Sequence, residues 1–128
     1  MKFSREEDLG ILILAYIARN SNNFISAKDI SLGINISLPF TKKIVYKLRN
    51  SGILKSKEGK LGGFMLNKNP SDISLKDVIE GISGNINQTE CFSKSCPIED
   101  KCLSKIVLNK VNKDFVNNLS KIKISSMV

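Results

Sequence analysis

Ser37-Leu38-Pro39-Phe40-Thr41-Lys42-Lys43-Ile44-Val45-Tyr46-Lys47-Leu48-Arg49-Asn50-Ser51-Gly52-Ile53-Leu54-Lys55-Ser56-Lys57-Glu58-Gly59-Lys60-Leu61-Gly62-Gly63-Phe64-Met65-Leu66 is the stretch that decides the fold. Ser37 can cap a helix, with Pro39 in its first turn, where a missing amide costs nothing. Phe40, Ile44, Val45 and Leu48 offer an apolar side, while Lys42, Lys43, Tyr46 and Lys47 fall largely on other faces. Gly52 suits the position just past the helix end. Ile53 to Lys57 then reads as a strand, Glu58 to Gly63 as a hairpin tip, and Phe64 to Leu66 as the returning strand. Glycines at Gly59, Gly62 and Gly63 allow positive φ and close approach of backbone to phosphate.

Towards the N-terminus, Ser26 can cap a short helix through about Ile30, with Asp29 in the capping-box position and Gly33-Ile34-Asn35 as a tight turn. Two short helices joined by such a turn form a helix-turn-helix, and a basic hairpin directly behind it is a wing. The later helix would enter the major groove and the wing would lie on backbone or minor groove. Ser4-Arg5-Glu6-Glu7 is a capping box that opens a first helix over Arg5 to Arg19. Its residues Leu9, Leu12, Ile13, Tyr16 and Ile17 are expected to face the core. Asp8, with Glu6 and Glu7, complements the positive end of that helix.

Towards the C-terminus, Asn69-Pro70 closes the wing and Ser74-Leu75-Lys76-Asp77 is a second capping box. The helix it opens runs through about Ile82 and packs through Leu75, Val78, Ile79 and Ile82. A polar loop follows over 85–90. Pro97 can start a final helix to about Ile122, with a stripe of Leu103, Val107, Val111, Phe115, Leu119 and Ile122. Such a helix can pair two copies of the chain, or cover the first helix of its own chain. The expected class is mainly α with a small β-hairpin wing. A winged helix-turn-helix would occupy 1–84, a cysteine loop 85–102 and a dimerisation helix 97–128, all in one compact domain.

A chain of 128 residues with 41% hydrophobic content suits one modest core. Its longest apolar run, Ile11 to Ala18, is too short to span a bilayer, and the residues before it are acidic rather than basic. A cytoplasmic protein with no membrane partner is expected. Lys42, Lys43, Lys47, Arg49, Lys55, Lys57, Lys60 and Lys68 are opposed between Lys42 and Lys68 by Glu58 alone, so this segment holds nearly all of the net charge of +8. That concentration marks a polyanion-binding face or an ordinary solvated basic surface.

The three cysteines, Cys91, Cys96 and Cys102, lie within a dozen residues, and the chain has no histidine. The commonest general base and nitrogen ligand are therefore missing, and an enzyme is not expected. Gaps of four and five residues lack the paired knuckles of structural zinc. They leave an iron–sulfur cluster, zinc and redox-active thiols as open readings.

The run from Ile36 to Leu54, its continuation Gly59-Lys60-Leu61-Gly62-Gly63-Phe64-Met65-Leu66, the segment Ile73-Ser74-Leu75-Lys76-Asp77-Val78, the opening Lys2-Phe3-Ser4 and the three late cysteines together resemble the IscR/NsrR family of winged-helix transcription regulators. The resemblance covers essentially the whole chain. It implies a homodimer that binds a palindromic promoter site on double-stranded DNA, most simply as a repressor. It also implies a 2Fe-2S or 4Fe-4S cluster on Cys91, Cys96 and Cys102, through which nitric oxide, redox state or cluster supply is sensed. The histidine that follows the third cysteine in the IscR-like branch is absent, whereas Asp8 stands where the NsrR-like branch takes a fourth ligand from the partner subunit. Base contacts are expected from Phe40, Lys42, Lys43 and Tyr46, and phosphate contacts from Ser37, Lys47, Lys57 and Lys60. Two departures stand out: a first cysteine gap one residue shorter than usual, and Glu58 where the wing commonly carries arginine. Two rival readings are a cluster-free regulator of the same fold, sensing through thiols or a partner protein, and a redox or cluster-carrier protein.

Overall fold

The computed structural model describes residues 3–20, 23–84 and 104–127. Helix α1 (Arg5–Arg19) is followed by α2 (Ala27–Ile34), α3 (Leu38–Asn50), strands β1 (Leu54–Lys57) and β2 (Gly63–Leu66), α4 (Leu75–Ser83) and α5 (Ser104–Lys121). Short 3-10 turns lie at Pro70–Asp72 and Ile124–Met127. Cys91, Cys96, Cys102, Pro97 and Leu103, with the loop that carries them, lie outside the described residues.

Local chemistry sets the helix starts. Ser4 and Ser74 each complete a reciprocal capping box, with Glu7 and Asp77 respectively. Ser26 and Ser37 cap α2 and α3 by accepting from the amides of Asp29 and Phe40. At Ser26 the cap is one-way, not the full box expected from Asp29. Helix α2 also runs four residues beyond Ile30, because Asn35 takes the left-handed conformation (φ 57°) that ends it. The turn expected at residues 33–35 is thus the last turn of α2 and its cap.

The core joins all of these elements. Ile13, Leu14, Ile17, Ile30, Ile44, Leu48, Leu54, Ile73, Val78 and Ile124 are fully or almost fully buried. Each such side chain contributes roughly 1.5–3 kcal/mol relative to exposure. Two positions on α1 differ from expectation: Leu12 is 45% exposed and Leu14 is buried in its place. The unbroken apolar run around them leaves the periodicity without a polar marker. Thr41, inside α3, is also buried, and its hydroxyl donates to the Ser37 carbonyl at 2.9 Å, so the polar group is satisfied.

The wing is an antiparallel hairpin with Leu54 opposite Leu66 and Lys57 opposite Gly63. Ile25, just before α2, exchanges both backbone hydrogen bonds with Phe64 and so adds a short third rung to the sheet. The chain end is held similarly: the Leu75 amide donates to the Ile122 carbonyl and the Ile124 amide to the Ile73 carbonyl, each at 2.9 Å. Among the described residues the final helix makes its main contacts with α4, not with α1. It packs on α4 through Phe115, Val116 and Leu119 against Leu75 and Ile79. The 3-10 turn after it reaches α1, where the Arg19 guanidinium donates to the Met127 carbonyl at 3.3 Å. Val107 and Val111 of the expected stripe, and Ile106 beside it, are exposed.

Candidate nucleic-acid interface and ligand residues

The buried side of α3, formed by Thr41, Ile44, Val45 and Leu48, turns the opposite side outward. Lys42, Lys43, Tyr46, Arg49 and Asn50 are exposed there. Tyr46 packs edge-on against Phe64 of the wing, with ring centres 5.9 Å apart and planes inclined at 61°. The Arg49 guanidinium lies 5.0 Å from the Tyr46 ring centre. This guanidinium–ring–ring stack ties the helix to the hairpin and fixes their relative position.

The wing itself turns at residues 59–62, closed by the Gly62 amide donating to the Gly59 carbonyl at 3.0 Å. Lys60 and Leu61 occupy its corner, and Leu61 is 85% exposed. Lys57 lies 6.0 Å from the Phe24 ring centre. Between the wing and the start of α2 lies an open groove of about 730 Å³, lined in part by Phe24, Ser26, Lys57, Lys60, Leu61 and Met65.

The expected contact residues are not all free to act as assigned. Lys42 and Tyr46 face outward, and Lys57 and Lys60 are exposed on the wing. Phe40 is half-buried and packs against the core. The Ser37 hydroxyl serves as the α3 cap. Lys43 and Lys47 both bind Glu6 of α1, one to each carboxylate oxygen, at 2.6 Å. Hydrogen bonds from Lys43 and then Lys47 hold the Glu6 carboxyl below its ordinary 4.5. Arg49 was not among the contact residues expected from sequence, although it lies in the basic segment. The pairing of Glu6 with α3 had no local signal, since 37 and 41 residues separate the partners.

Of the expected cluster ligands, Asp8 alone lies among the described residues. It is exposed in the first turn of α1, and among those residues its carboxylate makes no hydrogen bond or ion pair. An exposed carboxylate of this kind is chemically able to serve as an oxygen ligand to a metal. The described residues contain no grouping of three acidic, cysteine or histidine side chains able to hold a metal by themselves, and the three thiols lie outside them. No described helix is long and apolar enough to cross a membrane.

A three-helix core carrying a hairpin that packs against the third helix is a winged helix-turn-helix. Residues 3–128 match the Rrf2 family, described as an iron-dependent transcriptional regulator. The chain belongs to that family. It is 29% identical to the HTH-type transcriptional regulator NsrR of Bacillus licheniformis, over all of this chain and 92% of that one. Its structure resembles IscR of T. potens, with a TM-score of 0.79, 26% identity and coverage of 99% and 85% of the two chains. It also resembles CymR, the global cysteine regulator of B. subtilis, with a TM-score of 0.74, 26% identity and coverage of 98% and 94%. The expectations of a winged-helix fold and of a transcriptional regulator rather than an enzyme hold.

Proposed function

We propose that this regulator is a cytoplasmic homodimer that binds a palindromic promoter site as a repressor, and that an iron–sulfur cluster controls its affinity. The observation that carries the DNA reading is the outward strip of Lys42, Tyr46 and Arg49 locked against a wing bearing Lys57 and Lys60. Lys42 and Tyr46 would meet base edges, and Lys57 and Lys60 phosphates. Cys91, Cys96 and Cys102 would hold a 4Fe-4S or 2Fe-2S cluster, with Asp8 of the other subunit as fourth ligand. The similarity to NsrR supports this set, as does the exposed Asp8 carboxylate, which has no hydrogen-bond or ion-pair partner among the described residues. Such a cluster supplies a centre that reacts with nitric oxide or oxidants, and weak oxygen ligation leaves one position open to the signal. The exposed Ile106, Val107 and Val111 on α5 offer the apolar surface for the second copy.

Anaerobic purification tests the cluster. A brown protein with stoichiometric iron and sulfide supports it, and a colourless one refutes it. A second reading is favoured by the likeness to CymR: a cluster-free regulator that senses through its thiols. In that case, DNA affinity would respond to thiol oxidation or to a partner protein, with no iron present.

A further inference from the structure

Glu6 is the second residue of α1, yet its carboxylate is spent on α3. One oxygen binds the Lys43 ammonium and the other the Lys47 ammonium, both at 2.6 Å. The two lysines are four residues apart and therefore lie on one strip of the helix. Two oxygens of one anion, each taken by its own ammonium, is also how the two unesterified oxygens of a phosphodiester would sit there. We propose that Lys43 and Lys47 form an anion site, that Glu6 fills it as an internal phosphate mimic, and that a DNA backbone phosphate displaces Glu6 on binding. This rests on the DNA-binding reading above.

Three features support exchange over a permanent tether. The site is open to water: the side chains of Lys43, Lys47 and Glu6 are 54%, 37% and 25% exposed. Ion pairs at such a surface are weak, whereas duplex DNA presents one charge per roughly 1.7 Å of axis. The fold does not depend on the contact either, because α1 and α3 already share the buried cluster of Ile13, Leu14, Ile17, Ile44 and Leu48. The neighbouring turn is fixed independently, by the Ser4–Glu7 box and by the Ser83 hydroxyl donating to Glu7 at 2.6 Å. Glu6 can therefore leave by side-chain rotation while α1 stays in place. The cost of its departure lowers the affinity for DNA.

Binding of the full chain to a labelled duplex of mixed sequence, followed by fluorescence anisotropy across a salt series, tests this. Glu6→Gln should bind about tenfold tighter than the parent, the worth of two surface pairs. Asp114→Asn makes the same change in net charge on α5 and should alter affinity less than twofold. Lys43→Gln with Lys47→Gln should weaken binding in both the parent and the Glu6→Gln background. It should also reduce the salt slope by about 1.8, so that about 12-fold less affinity is lost between 50 and 200 mM salt. Equal effects of Glu6→Gln and Asp114→Asn would overturn the proposal, as would an unchanged slope on removing both lysines. No binding by the parent at any salt would instead remove the DNA reading itself. Circular dichroism of each variant confirms that it is folded.

Discussion

At Gly63 the backbone has φ 141°, and a Cβ there would run into the Ile25 carbonyl and the Ser26 amide. Neither group can yield, because Ile25 is bonded to Phe64 and Ser26 caps α2. Gly63→Ala should cost about 3 kcal/mol or more, from backbone strain plus overpacking. Gly59 has φ 103° but nothing within reach, so Gly59→Ala should cost only about 1–2 kcal/mol. Urea denaturation of the two variants checks the difference. Glu6 gives a second prediction. Its carboxyl is held below 4.5 by Lys43 and Lys47, so the pairs stabilise the fold above that pH and the contribution disappears as pH falls through the depressed value. Thermal melts from pH 6 to pH 3 should show a shallower acid-side fall for Glu6→Gln than for the parent. Gly63 was legible as a glycine at the hairpin, but it opens β2 opposite Lys57 instead of lying in the tip. The approach of Ile25 that excludes a side chain there had no local signal. The Glu6 bridge was not legible, because charge pairing between distant helices leaves no periodic trace.

At the scale of elements, the capping serines were readable because each acts within three residues of itself. Ser74 is the most consequential, being 3% exposed and placed where α4 meets the returning chain end. Ser74→Ala should cost about 1–2 kcal/mol in chemical denaturation, more than Ser37→Ala at the exposed start of α3. The orientation of α1 was only partly readable: residues 11–14 are all apolar, so Leu12 and Leu14 could not be ranked by period alone. The partner of α5 was likewise hidden. Leu119 settles against Ile79 of α4, and Val107 and Val111 are left outside. Val107→Asp with Val111→Asp should leave the monomer fold intact but convert a dimer to monomer in sedimentation velocity. A variant that sediments as the parent does would move the dimer interface elsewhere.

Over the whole molecule, nearly all of the net charge of +8 falls on α3 and the wing, the elements that the Tyr46–Phe64 contact locks together. Charge and fold were both legible because the basic segment is contiguous in sequence and the hairpin follows the helix directly. The cluster reading stands on other ground. Its thiols are close in sequence, but its proposed oxygen ligand, Asp8, lies more than eighty residues away and would come from a second copy. Spacing alone could not assemble that set; the family resemblance did. Asp8→Ala should leave circular dichroism unchanged while altering the absorption spectrum or the stability of the cluster-bound protein. An unchanged spectrum would remove Asp8 from the set. We propose above all that a cysteine-held cluster governs DNA affinity. The most direct test purifies the chain without oxygen, selects a duplex site from a random library, and measures binding to it before and after the iron is removed. A cluster-controlled regulator gives a brown protein, a palindromic selected site and a change in dissociation constant of at least about tenfold, equivalent to roughly 1.4 kcal/mol. A colourless protein, or identical affinities with and without iron, would contradict the proposal.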